Sequence, residues 1–159
     1  MGMDIRVLAS IALIVVVSIS VGFKLSQNVD GPSVESVNAS FQSSPGAWAV
    51  LEVADNEEER SEGLMNVTEL GEREGMVFIF PNEGPRAFWM KNTLISLDMI
   101  FLDAEKQVLN VETAKPEPNT ADENLDSYTS NRPAKYVIEV NAGFADKYSV
   151  EKGDKVKWE

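Results

Sequence analysis

The sequence predicts an all-β domain of about seven short strands, arranged as a sandwich or small barrel with one or two short helical turns, behind an N-terminal transmembrane helix. Three observations lead there. Seven runs of strand length, rich in Val, Ile, Phe and Trp, recur after residue 46, each bounded by turn formers. No stretch of ten or more residues in that part keeps a helical apolar stripe. The longest apolar run, Val7 to Phe23, contains no charge.

That run, VLASIALIVVVSISVGF, has seventeen residues between Arg6 and Lys24. As a helix it would rise roughly 26 Å, slightly short of a hydrocarbon core, with Ile5 and Leu25 able to extend it. A membrane anchor over residues 5–25 is therefore expected. Ser20-Val21-Gly22 offers small residues for the rival reading, a cleaved signal peptide. The slight positive excess at the N-terminus puts the remainder outside the cytoplasm, a single-pass protein of the cell membrane. Residues 26–45, rich in Ser, Asn, Gly and Pro, read as a flexible linker, and the β-rich domain as residues 46–159.

Within that domain the expected strands are 47–54, 76–80, 87–90, 96–102, 107–113, 134–140 and 155–158. Asp55 or Asn56 can cap a single helical turn carrying Glu57, Glu58 and Glu59 at its positive end, and Gly63 would stop it. Residues 81–85 and 103–106 are turns, 115–133 is a Pro-rich loop, and 143–148 can supply a second helical turn.

Composition closes many functions. The 159 residues hold 26 Asp and Glu against 14 Lys and Arg, a net charge of −12, with no His and no Cys. Thiol nucleophiles, disulfides, zinc knuckles and imidazole bases are excluded. An acidic surface with scattered lysines repels phosphate backbones, so no nucleic-acid partner is expected. No phosphate-cradling loop, serine elbow or dinucleotide fingerprint occurs, and no cofactor is expected. Asn38-Ala39-Ser40 and Asn66-Val67-Thr68 match the glycan acceptor pattern.

The stretch Arg86 to Asp103, RAFWMKNTLISLDMIFLD, resembles the signature of the domain of unknown function 192 family. Gly63-Leu64-Met65, Gly75 to Phe80, Pro133 to Val140, Ala142-Gly143 and Gly153-Asp154 follow in the expected order, so the resemblance covers roughly residues 47–159. It implies a β-rich, jelly-roll-like single domain, commonly behind a signal or anchor segment. It carries no activity to transfer.

Two constellations could carry chemistry. Arg86, Trp89, Lys91, Asn92, Thr93 and Asp98 combine two cations, an indole face and polar turn groups. Such a corner suits a saccharide, an anionic group or an envelope peptide, and a non-catalytic binding or assembly module is the leading expectation. Strand alternation puts Asp98 on the face of Ile100 and Leu102, and Glu139 on the face of Val137. A carboxylate there needs a partner, for which Lys91, Arg86 and turn N–H groups are the candidates for Asp98. If strands bring Asp98 and Glu139 together, an acid/base pair for polysaccharide hydrolysis becomes the alternative. A cation site from Asp98, Glu139 and Asp154 lacks any calcium-loop spacing, and no metal is expected. A third reading is a purely structural domain.

Overall fold

A computed structural model of the chain describes residues 35–159. The expected anchor and the first part of the expected linker lie outside them. No helix among the described residues is long and apolar enough to cross a membrane.

Among the described residues nine strands, two short α-helices and one 3-10 turn follow in order: β1 (Ser36–Phe41), β2 (Trp48–Ala54), α1 (Glu57–Glu62), β3 (Glu74–Gly84), β4 (Ala87–Phe88), β5 (Leu97–Leu102), β6 (Val108–Ala114), the 3-10 turn (Asp122–Asn124), β7 (Tyr128–Thr129), β8 (Ala134–Asn141), α2 (Phe144–Tyr148) and β9 (Val156–Trp158). Seven strands form one sheet in the order β6-β5-β8-β3-β2-β1-β9, and β4 pairs with β7 in a separate ribbon. Every neighbouring pair is antiparallel except β2 and β3. A parallel pair needs a long crossover, and residues 55–73, opening with α1, supply it.

The sheet curls until its edges approach. Gln107 bridges Lys155, and the N–H groups of Val108 and Val156 donate to the carbonyls of Asp154 (2.8 Å) and Lys106 (2.9 Å). The result is a half-barrel: of the two expected arrangements, sandwich or small barrel, it departs from the two-sheet sandwich and lies nearer the small barrel. Hydrogen bonding passes round the curl through β1 and β9 instead of dividing into two stacked sheets.

Both faces of the sheet are covered. Leu51, Val77, Ile100, Leu102, Ile138 and Val140 fill the concave interior with Phe41, Phe144 and Val156. On the convex face Met76, Phe78, Leu97, Met99, Phe101 and Val137 pack beneath Leu64, Met90 and the β4–β7 ribbon. All six residues of β5 are buried for that reason. Glycine is required at Gly75, where β3 and β8 approach closely: a Cβ there would lie 2.3 Å from the carbonyl oxygen of Glu139.

Three expectations need correction. Residues 36–41 of the expected linker are β1, which sends Ala39 and Phe41 into the core and pairs with both β2 and β9. The expected loop 115–133 contains β7, held to β4 by Tyr128 and Thr129. The expected strand 76–80 runs from Glu74 to Gly84, its pairing with β8 shifting after Ile79, next to Pro81.

Candidate functional site

Alternation along β5 and β8 sends the two conspicuous acids to opposite sides of the sheet. Asp98 pairs with Val140 and points into the concave interior, 1% exposed. Its Oδ1 accepts from the Thr113 hydroxyl at 2.8 Å and its Oδ2 from the Ala145 N–H at 2.9 Å. Neither expected cation reaches it; a hydroxyl and a backbone amide satisfy it and tie β5 and β6 to α2. Glu139 pairs with Met99 on β5 and Met76 on β3 and points to the convex side. The expected Asp98–Glu139 acid/base pair is therefore not assembled, because a whole sheet separates the carboxyls. Asp154, the third acid of the conceivable cation site, lies at the seam between β6 and β9, accepting from the Ser44 hydroxyl at 2.7 Å. Among the described residues no group of three or more acids is placed to hold a metal ion.

Glu139 is the floor of a cleft of about 320 Å³. It is 4% exposed and takes no part in an ion pair among the described residues. Burial alone pushes its carboxyl up to about 8, with no charge or hydrogen bond acting in return. Among the described residues no side-chain oxygen is both sealed from solvent and unpaired, so this unpartnered carboxyl meets the cleft. Around neutral pH it is a carboxylic acid holding its proton.

Aromatic, aliphatic and thioether groups form the walls: Phe78 and Phe80 from β3, Phe88 from β4, Trp89 after it, and Leu64 and Met65 from the crossover. Phe88 stands edge-on to Phe78, Phe80 and Phe101, with centroids 4.9, 6.4 and 6.1 Å away. Gly63 closes one wall at φ 51°, and a Cβ on it would meet the Phe78 ring at 3.1 Å. Asn56 caps α1, its Oδ1 accepting from the Glu59 N–H at 3.0 Å, and so fixes the helix at the mouth. The Asp55 N–H, donating to Glu59, holds the Glu59 carboxyl below its usual range.

The charged groups lining the cleft with Glu139 are Arg60, Glu62 and Lys91. Arg60 donates to the carbonyls of Asp55 and Ile79 and sits 5.3 Å from the Phe80 centroid. Lys91 pairs with Asp122 and lies 5.3 Å from the centre of the Trp89 ring. Both cations are thus engaged with protein groups.

Of the residues expected at the corner, Trp89, Lys91 and Thr93 line the cleft, and Trp89 is 48% exposed. Thr93 bonds the Lys91 carbonyl within its own turn. Asn92 takes φ 53° there, and its carbonyl accepts from the Asn66 N–H at 2.9 Å, which anchors the crossover. Arg86 stacks on Phe80 at 3.9 Å and donates to the Asn82 and Ala134 carbonyls, bracing the wall from behind. Burial lowers its guanidinium, and neighbouring Arg60 adds to that shift. Asp98 is on the far face. Sequence reasoning missed Arg60, Met65, Phe78 and Phe80. Phe78 and Phe80 at alternate positions of β3 were the signal for one wall, but nothing local tied them to Glu139.

Comparison with known proteins fits this chain's own geometry into a family. The model DUF192, described as "Uncharacterized ACR", matches residues 40–158, from within β1 to within β9. The chain belongs to the DUF192 family. A UPF0127 protein of Pyrococcus abyssi is 37% identical over 113 residues, covering 68% of this chain and 85% of that one. A solved structure of a protein of unknown function from Novosphingobium aromaticivorans has a TM-score of 0.64 at 34% identity, over 77% of this chain and 84% of that one. Another, from Sinorhizobium meliloti 1021 and provisionally named a transcription regulator, has a TM-score of 0.67 at 30% identity, over 78% of this chain and 92% of that one.

Proposed function

We propose that this DUF192 domain is a non-catalytic ligand-binding module whose site is the cleft above Glu139, held at the outer side of a membrane by residues 5–25. One observation carries the binding reading: a carboxyl 4% exposed, without a partner, at the bottom of an aromatic cleft. Burying such a group unpaired costs free energy that the fold does not recover from its own contacts, and a bound molecule would supply the missing partner. The charge-free run Val7 to Phe23 supports the anchor. A regulatory role on DNA, as the name of the Sinorhizobium relative suggests, fits poorly with a net charge of −12.

NMR titration of the full-length protein with saccharides, small anions, amides and envelope peptides tests the reading. Saturable shifts of the Trp89 indole and Met65 methyl resonances, lost in Trp89→Ala, are the expected outcome. Unmoved cleft resonances across the whole panel would remove it.

A further inference from the structure

Resting on that reading, we infer that the cleft selects an uncharged group able to accept and donate one hydrogen bond each, an amide above all, which docks face to face with the Glu139 carboxylic acid. Cations are disfavoured as ligands because Arg60 and Lys91 already lie on the Phe80 and Trp89 rings, and a third positive charge would enter beside them. Anions are disfavoured from outside. Next to the cleft, and sharing Glu62, Gly63 and Met65 with it, a second hollow of about 590 Å³ is lined by Glu35, Glu52, Asp55 and Glu59.

The floor settles the remaining choice. A carboxylic acid presents one O–H donor and one C=O acceptor side by side. A primary amide, or a cis lactam, presents the complementary N–H and C=O on one edge, so two parallel hydrogen bonds can form without moving a charge into the apolar floor; the N–H and C=O of a trans secondary amide point apart and cannot both reach the acid. A ligand with only one of these functions would leave half of the acid unpaired. The aromatic walls then take the apolar body that carries the amide.

The probes are benzamide, benzylammonium and benzoate, titrated into the full-length protein and followed at Trp89 and Met65. Benzamide is expected to bind at least tenfold more tightly than either charged analogue. Glu139→Leu should weaken benzamide about tenfold. Glu139→Gln, which keeps a donor and an acceptor, should bind it within about threefold of the parent at pH 7 and hold that affinity at pH 9, where the parent weakens as Glu139 ionises. Arg60, Glu62 and Lys91, the charged neighbours, are unchanged in both variants. Tighter binding of benzylammonium or benzoate, or loss of benzamide binding in Glu139→Gln, would overturn the inference while leaving a binding module in place. Silence toward all three probes would overturn it too, and the wider panel described above then decides the broader reading.

Discussion

At the scale of single residues, Glu139 links the site to stability. Its carboxyl, ordinarily near 4.5, is pushed up to about 8 by burial. Between those values the folded chain holds a proton that the unfolded chain has released, so rising pH favours unfolding. The contribution is complete below about pH 4.5, falls by up to about 1.4 kcal/mol per unit above it, and levels off beyond about pH 8. Urea denaturation at pH 5, 6.5 and 8.5 should show the parent losing a few kcal/mol relative to Glu139→Gln across that window. Parallel curves for the two proteins would refute the assignment. Asp98 shows the opposite solution to the same problem, since Thr113 and the Ala145 N–H satisfy it within the core. The sequence showed that both acids sit among apolar neighbours and which face each takes. It could not show that one has partners and the other a cleft, because Thr113, Ala145 and Phe78 are brought in by strands and a helix far along the chain.

At the scale of elements, the meeting of β3 and β8 decides whether the cleft has a floor. Gly75 lies against the Glu139 carbonyl, so a methyl group has no room unless the strands part. Gly75→Ala should cost about 2–3 kcal/mol in thermal or chemical unfolding and shift the Met65 and Trp89 resonances, whereas the exposed Gly153→Ala should leave those resonances in place. A Gly75→Ala protein as stable as the parent would show that the strands can slide apart. β5 and the middle of β8 were legible because burial on both faces leaves the mainly apolar runs LDMIFL and VIEV, each broken by a single acid. β1 was not, since its outward Ser36, Asn38 and Ser40 resemble linker composition, and only Val37, Ala39 and Phe41 at alternate positions betray it. β7 is two residues long and exists through its pairing with β4, a contact between distant segments that no local pattern encodes.

At the scale of the whole molecule, curling the sheet produces the two distinct faces, a sealed interior around Asp98 and a covered convex side that opens at Glu139. What closes the curl is small. Asp154, 6% exposed, accepts from the Ser44 hydroxyl and from the Glu151 N–H at 3.0 Å, while Trp158 packs edge-on against Tyr136 beneath Lys106. Asp154→Ala should lower stability by about 2–3 kcal/mol and make Trp158 more accessible to acrylamide quenching, with little change at Trp89. Equal quenching in both proteins would mean that the edges stay joined without this acid. One of the two neighbours of β1, the earliest strand described, is β9, the latest. A nascent polypeptide emerging residue by residue therefore cannot complete this architecture until Val156 to Trp158 are free, and a chain stalled a dozen residues sooner would expose an unpaired ribbon to any protease or chaperone nearby.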